Sequence, residues 1–119
     1  KKDLHEVEDV YIEIIRNLMD GEQINILMND QSYRDKIVAR LHTNKIDSNR
    51  INFHIILTKD AWIRDFGPNF LARDSQNGRE IAVNRWRFNS WGGKYPWKID
   101  DNAKLKILNL ETSNALKKE

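Results

Sequence analysis

Residues 23–58, QINILMNDQSYRDKIVARLHTNKIDSNRINFHIILT, contain the pattern that decides the fold class. The runs at 23–29 and 51–58 are short, apolar and rich in β-branched residues, which favours two strands. The segment between them has apolar residues at helical spacing behind a candidate capping residue, Asp30 or Ser32. A strand, a helix and a second strand in succession predict an α/β arrangement with parallel pairing.

A helix is predicted before this unit, and a less regular region follows it. Apolar residues recur at helical spacing until Gly21, which suits the end of a helix. Downstream, residues 69–73 and 80–87 have the composition of strands, and the Asn-Gly turn at 74–78 favours a β-hairpin. Residues from Asp101 onward predict a last helix. The apolar stripe predicted for the first helix consists of Val7, Val10, Tyr11, Ile14, Ile15 and Leu18.

The composition limits the class of protein. The 119 residues are enough for one small domain, and a hydrophobic content of 39% is low for a self-sufficient core in a chain of that length. The sequence has no cysteine, so it contains no thiolate nucleophile, disulfide or Cys-ligated metal. The three histidines make no His-x-x-x-His pair, and a net charge of +2 does not by itself indicate nucleic-acid binding. No apolar run reaches the ~18 residues of a membrane span.

Residues 60–68, DAWIRDFGP, place a carboxylate near an indole where the Gly-Pro pair forces a bend. In a loop, the side chains of Trp62 and Asp65 can face one pocket. A carboxylate accepts two parallel N–H bonds from a guanidinium, and an indole stacks on its flat face, so the pair suits a guanidinium ligand. The alternative is that Trp62 is core and that Asp65 pairs with Arg64 or Arg73 or caps the turn.

Residues 85–97, RWRFNSWGGKYPW, combine arginine, glycine and aromatic residues. If the preceding strand continues, Arg85 and Arg87 share one face, where they could grip a carboxylate or phosphate or remain solvated. The glycine-rich end favours a fixed loop of the kind that lines sites. Basic residues interleaved with aromatic ones also fit a platform for single-stranded nucleic acid. The aspartate pair at 100–101 favours the start of a helix over a metal site.

The strings DAWIRDFGPNF (60–70) and NRWRFNSWGGKYPW (84–97), with the aspartate pair at 100–101, resemble the agmatine deiminase and Porphyromonas-type peptidylarginine deiminase family. This family belongs to the pentein superfamily. The resemblance is specific in these motifs and looser upstream, and it covers most of the chain. It implies a five-bladed α/β propeller, of which this chain would form one to two ββαβ-like blades with a mixed sheet and flanking helices. Residues 1–119 are then expected to be an amino-terminal fragment of one guanidine deiminase catalytic domain.

The resemblance also implies a two-stage hydrolysis of a guanidine, with agmatine or peptidyl-arginine as substrate. A cysteine thiolate attacks the guanidinium carbon, ammonia leaves, and water then releases a ureido product. A histidine moves protons and carboxylates hold the cation, with no metal or organic cofactor. The family's cysteine and histidine would lie outside this chain. The chain alone is therefore expected to bind weakly and to be inactive.

Individual residues can be matched to roles in the family. Asp65 matches the aspartate that grips the guanidinium, and Trp62 matches a pocket tryptophan. Arg85 and Arg87 align with an arginine pair that contacts the substrate carboxylate in the peptidylarginine branch. Trp91 belongs to a Phe-Asn-x-Trp-Gly-Gly string that looks more like the agmatine branch, which favours agmatine.

The expected partners are a guanidine or arginine-peptide substrate and the rest of the same catalytic domain. Contact with neither nucleic acid nor a membrane is expected, and the resemblance implies a cytoplasmic protein of undetermined oligomeric state. Two other classes stay open. One is a noncatalytic module that binds an anion or single-stranded nucleic acid through Arg85, Arg87, Lys94 and the tryptophans. The other is an α/β structural domain in which tryptophans form the core.

Overall fold

The computed structural model describes the backbone of residues 3–115 and the side chains of residues 4–110. The chain divides into two compact units, one ending at Ile55 and the other beginning at Ile56. The described elements are α1 (Asp3–Leu18), β1 (Ile24–Met28), α2 (Gln31–Thr43), a 3₁₀ turn (Ser48–Arg50), β2 (Ile51–Ile55), α3 (Ile63–Phe66), β3 (Asn69–Ser75), β4 (Gly78–Asn84), the single turn α4 (Ser90–Gly93) and α5 (Lys98–Ala115).

The first unit is built on the predicted strand, helix and strand. Strands β1 and β2 pair in parallel, with a register that runs from Ile24 opposite Ile51 to Met28 opposite Ile55. Parallel neighbours cannot be joined by a tight turn, and here α2 provides the crossover between them. The predicted α/β arrangement with parallel pairing is therefore confirmed.

Hydrogen bonds define both ends of α2. The Asp30 carboxylate accepts from the backbone N–H groups of Ser32 at 2.8 Å and Tyr33 at 3.3 Å. Asp30, rather than Ser32, is thus the capping residue, and it satisfies amides that have no partner inside the helix. At the other end, the Asn44 side-chain amide donates to the carbonyl oxygen of Arg40 at 2.9 Å.

Helix α1 packs on a narrower apolar face than its sequence predicts. Ile12 and Ile15 are buried, and Met19 packs against the same core. These residues are three and four positions apart, which is one side of a helix. Of the predicted stripe only Ile15 is buried; the exposed members are Val7, Val10, Tyr11, Ile14 and Leu18. The buried core of the unit consists of Ile12, Ile15, Leu41, Ile46 and Ile51.

The second unit begins with loops and contains the predicted hairpin. Strands β3 and β4 pair antiparallel, and Ser75 lies opposite Gly78, so the loop between the strands is only two residues long. Gly78 has φ of 105°, a left-handed conformation that glycine adopts without strain. Strand β4 ends at Asn84, short of the predicted boundary. Arg85 and Arg87 therefore do not share a strand face.

Helix α5 begins at Lys98, three residues before the predicted start at Asp101. The buried residues of this second unit include two phenylalanines, Phe66 from α3 and Phe88, whose rings lie 6.0 Å apart. Together the two units form a mixed α/β fold with two small sheets and helices. None of the helices in the described part of the chain is long and apolar enough to cross a membrane.

We expect Leu41→Ala to lower the free energy of unfolding of the first unit by about 2–5 kcal/mol, because it leaves a cavity in the core. The Leu41 side chain is 0% exposed. The matched control is Leu18→Ala, the same change at a position that is 46% exposed, which should cost less than about 1 kcal/mol. Urea unfolding followed by far-ultraviolet circular dichroism measures both. Equal losses would contradict the core described above.

Candidate functional site

The second unit contains an open cleft of about 520 Å³. Its lining residues are Asp60, Trp62, Asp65, Trp91, Lys94 and Tyr95. Three residues selected from the sequence, Trp62, Asp65 and Trp91, are thus brought together from two separate segments. Asp60 and Tyr95 are not predicted site residues, and Lys94 is predicted only as part of the alternative anion- or nucleic-acid-binding module, although all three lie inside the two sequence motifs.

Helix α3 places the first wall of the cleft. Phe66 is 2% exposed and anchors the turn, while Trp62 is 61% exposed. The backbone N–H of Gly67 donates to the carbonyl oxygen of Ile63 at 2.7 Å. A Cβ atom at Gly67 would lie 2.5 Å from that oxygen, so only glycine closes the turn in this way. The turn therefore directs Phe66 inward and leaves Trp62 and Asp65 at the cleft.

The carboxylate of Asp65 is available to a ligand. Arg73, one of its two possible partners in the sequence, instead pairs with Glu80, with Nε and Oε2 2.7 Å apart. Arg64 makes no ion pair with Asp65, and α3 has no side-chain cap. Within residues 4–110, no ion pair or side-chain hydrogen bond occupies the Asp65 carboxylate. The alternative in which Asp65 pairs with a neighbouring arginine or caps the turn is therefore wrong.

The second wall is a turn with a left-handed backbone. Four successive residues have positive φ: Ser90 at 53°, Trp91 at 50°, Gly92 at 94° and Gly93 at 81°. Glycine adopts such angles readily, but each of the other two residues costs about 1–2 kcal/mol. Strain of this size persists only where surrounding contacts hold it, and it is concentrated at functional sites. The left-handed turn places the Trp91 side chain at the cleft.

Contacts on both sides hold this turn in place. Asn89 accepts two hydrogen bonds. Its side-chain oxygen accepts from the backbone N–H of Gly92 at 3.2 Å, and its backbone carbonyl oxygen accepts from the backbone N–H of Gly93 at 2.7 Å. Ser90 is buried. The rings of Phe88 and Trp91 meet edge to face, with centroids 5.5 Å apart. Hydrogen bonds and a ring contact therefore support the backbone of this turn.

The two aspartates at the start of α5 connect these walls. Asp100 is 1% exposed, and its carboxylate accepts from the backbone N–H groups of Lys59 at 2.7 Å and Asp60 at 3.3 Å. Asp101 accepts from the backbone N–H of Phe88 at 2.9 Å. The pair lies in the first turn of the helix, as predicted, but both carboxylates bind backbone groups of the cleft segments.

A buried lysine completes the attachment of the second segment. Lys104 is 6% exposed, and its ammonium donates to both the Asp101 carboxylate and the carbonyl oxygen of Trp86. Burial alone would raise the pKa of Asp101. The hydrogen bonds from Lys104 and from Phe88 N–H, with the nearby charges of Lys104 and Arg87, outweigh burial and lower that pKa below its ordinary value. Asp101 is therefore ionised at neutral pH.

The arginine pair does not line the cleft. The Arg87 guanidinium lies over the ring of Trp97, 5.7 Å from its centroid, and contributes positive charge near Asp101. Arg85 is exposed and is not one of the lining residues. Within residues 4–110 no group of three or more His, Asp and Glu side chains is placed to hold a metal ion.

Comparison with known proteins gives a family match. Residues 1–119 match the family model described as Porphyromonas-type peptidyl-arginine deiminase. An agmatine deiminase of Ectopseudomonas mendocina is 41% identical over 73 residues, which are 56% of this chain and 19% of that protein. A putative agmatine deiminase of Selenomonas ruminantium is 36% identical over 90 residues, which are 76% of this chain and 23% of that protein. The chain thus spans about a fifth of the length of these curated relatives.

We expect Asp101→Ala to destabilise the second unit by about 3 kcal/mol, because it leaves the buried Lys104 ammonium without its charge partner. Asp101→Asn keeps an oxygen that can accept from Phe88 N–H and should cost less. All four tryptophans lie in this unit, so urea unfolding followed by tryptophan emission reports on it.

The same variants have a defined pH dependence. The folded pKa of Asp101 is below its ordinary value of 3.8, so its ionisation stabilises the fold above that pH. This stability is lost as the pH falls through the folded pKa. The wild-type advantage over Asp101→Asn should therefore be present at neutral pH and shrink below about pH 4. An exposed control, Asp74→Asn, should leave stability nearly unchanged. A constant difference between wild type and Asp101→Asn at all pH values would contradict the assigned role.

Proposed function

We propose that this chain, which belongs to the Porphyromonas-type peptidyl-arginine deiminase family, forms part of an enzyme that hydrolyses a guanidine group. The observation that carries the proposal is the unoccupied carboxylate of Asp65 in a cleft lined by Trp62 and Trp91. A guanidinium is planar and positively charged. It therefore needs a carboxylate that accepts two N–H bonds and aromatic rings against its faces.

In the proposed reaction a water molecule replaces one nitrogen of the guanidinium, and the products are a ureido group and ammonia. A cysteine thiolate attacks the guanidinium carbon and ammonia leaves; water then attacks that carbon and the thiolate is released. Residues 1–119 contain no cysteine, so other parts of the protein would supply this nucleophile. Asp65 would hold the guanidinium, and Trp62 and Trp91 would form the walls of its pocket.

Agmatine is the substrate that we propose first. The relatives from Ectopseudomonas mendocina and Selenomonas ruminantium carry the names agmatine deiminase and putative agmatine deiminase, which supports this choice. Peptidyl-arginine is the second candidate, because the family description names it. Both substrates present the same guanidinium to Asp65 and differ at the opposite end of the molecule.

We further propose that residues 1–119 belong to the amino-terminal part of one pentein-type catalytic domain, a five-bladed α/β propeller. The mixed α/β fold with two small sheets supports one to two blades of such a domain. The rest of the same domain would be the main partner of this chain. A cytoplasmic location is part of the proposal and comes from the family resemblance.

We expect Asp65→Asn to reduce kcat/KM for guanidine hydrolysis by the full-length protein at least about 30-fold. The change removes the charge partner of a desolvated cation, which costs about 2–5 kcal/mol. Ammonia release from agmatine and from peptides that end in arginine measures the effect. The matched control is Asp74→Asn, an exposed aspartate in the β-hairpin that should leave the rate unchanged.

Two results would separate the explanations. Near-normal turnover of both substrates by Asp65→Asn would refute the role of Asp65 in holding the guanidinium. A loss of activity accompanied by a loss of folding stability in urea would assign Asp65 a structural role instead. No such loss of stability is expected, because the structure gives the Asp65 carboxylate no partner within residues 4–110.

A further inference from the structure

We propose that Lys94 makes the cleft discriminate between guanidines by the charge at their far end, favouring a carboxylate and disfavouring an ammonium. The inference deepens the proposed function and rests on it, because it assumes that the guanidinium is held at Asp65. It concerns a residue that the sequence motifs did not select as part of the substrate pocket.

The position of Lys94 follows from the left-handed turn before it. The backbone N–H of Lys94 donates to the carbonyl oxygen of Ser90 at 3.1 Å, and φ returns to −62° at Lys94. The base of the side chain is therefore fixed by the same turn that places Trp91 at the cleft. The four-carbon stem remains able to move its ammonium within the cleft.

The ammonium of Lys94 has no protein partner in the described part of the chain. Neither an ion pair nor a side-chain hydrogen bond occupies it among residues 4–110. The cleft thus presents an unoccupied carboxylate, Asp65, and an unoccupied ammonium, Lys94. Such an arrangement complements a ligand with a cation at one end and an anion at the other.

The charged lining residues determine what the remainder of a bound ligand would meet. The lining includes two carboxylates, of Asp60 and Asp65, and one ammonium, of Lys94. The Asp60 carboxylate already accepts from the backbone N–H of Ala61 at 2.7 Å. A guanidinium at Asp65 would neutralise that carboxylate and leave Asp60 and Lys94 as the charged lining residues that face the remainder of the ligand. Of these two, Lys94 is the one that attracts a ligand carboxylate.

Lys94 lies in the cleft, whereas the arginine pair predicted to contact a substrate carboxylate does not. Arg87 lies over Trp97 and near Asp101, and Arg85 is not a lining residue. Among the described residues that line the cleft, Lys94 is the one cation. It is therefore the group that can contact a ligand carboxylate without rearrangement of the backbone.

The consequence differs between the two proposed substrates. Agmatine carries a second cation, an ammonium, at its far end, which Lys94 would repel. An arginine at the end of a peptide carries a carboxylate there, which Lys94 would attract. The names of the relatives favour agmatine, whereas the charge of Lys94 favours a peptide that ends in arginine. Agmatine would therefore be turned over against the repulsion from Lys94, and removal of Lys94 would improve that reaction.

The test compares three guanidines with the full-length protein and its Lys94→Gln variant. N-acetylarginine ends in a carboxylate, 1-butylguanidine in an uncharged methyl group, and agmatine in an ammonium. An ion pair in contact with solvent contributes up to about 1 kcal/mol, which is up to about fivefold in affinity. We expect Lys94→Gln to raise KM for N-acetylarginine by that factor, to lower KM for agmatine, and to leave 1-butylguanidine unchanged.

Two matched variants and salt complete the design. Lys94→Arg keeps the charge and should keep the preference of the wild type. Lys98→Gln removes an exposed charge that is close in sequence but outside the lining, and should shift none of the three guanidines. The effect of Lys94→Gln should shrink as ionic strength rises, because exposed charges are screened.

Each outcome has one meaning. Opposite shifts for N-acetylarginine and agmatine in Lys94→Gln alone support the inference. Equal shifts for all three guanidines, shifts of the same size in Lys98→Gln, or no shift would overturn it while the proposed function stands. If the wild-type protein neither binds the guanidines, as measured by tryptophan emission, nor releases ammonia from them, the proposed function itself fails.

Discussion

The carboxylates of Asp100 and Asp101 at the start of α5 hold together the two segments that form the cleft. The Asp100 carboxylate accepts hydrogen bonds from the backbone N–H groups of Lys59 and Asp60. The Asp101 carboxylate accepts one from the backbone N–H of Phe88. A buried carboxylate is costly unless charged or N–H donors surround it, and here backbone amides and a lysine provide them. Because these bonds end on backbone atoms, they fix the path of the chain and leave the side chains of the cleft free.

This attachment explains how the strained turn at Ser90–Gly93 persists. Its left-handed residues would relax in an isolated peptide, since only glycine visits that region without cost. The chain on one side of the turn is held at Phe88 by Asp101, and the chain on the other side continues into the same helix α5. The resulting geometry directs Trp91 to the cleft and determines where the side chain of Lys94 begins.

Sequence patterns predicted the regular part of this structure and only some of the site. The parallel pairing of β1 with β2 and the hairpin follow from local composition, and Trp62 and Asp65 meet because a short turn joins them. The end of β4 at Asn84 could not be predicted, because the partner strand β3, and not the composition of residues 85–87, limits the pairing. The left-handed turn and the bonds made by the aspartate pair depend on tertiary contacts, which no local pattern contains. For the same reason the apolar stripe predicted for α1 includes Ile15, which is buried, but omits Ile12 and Met19, which pack on the same core.

The exposure of the cleft determines how much its charges can contribute. A carboxylate and a guanidinium in contact with water gain about 0–1 kcal/mol from their attraction, because solvent screens them. The proposed guanidine hydrolysis would need a stronger contact at Asp65, and the same carboxylate–guanidinium pair gains more when water is excluded. Trp62 and Asp65 form an open wall, and the chain spans about a fifth of the length of its curated relatives. Under the proposed function, the residues described here would recognise the guanidinium, and the full strength of that contact would require other parts of the protein to close the cleft to water.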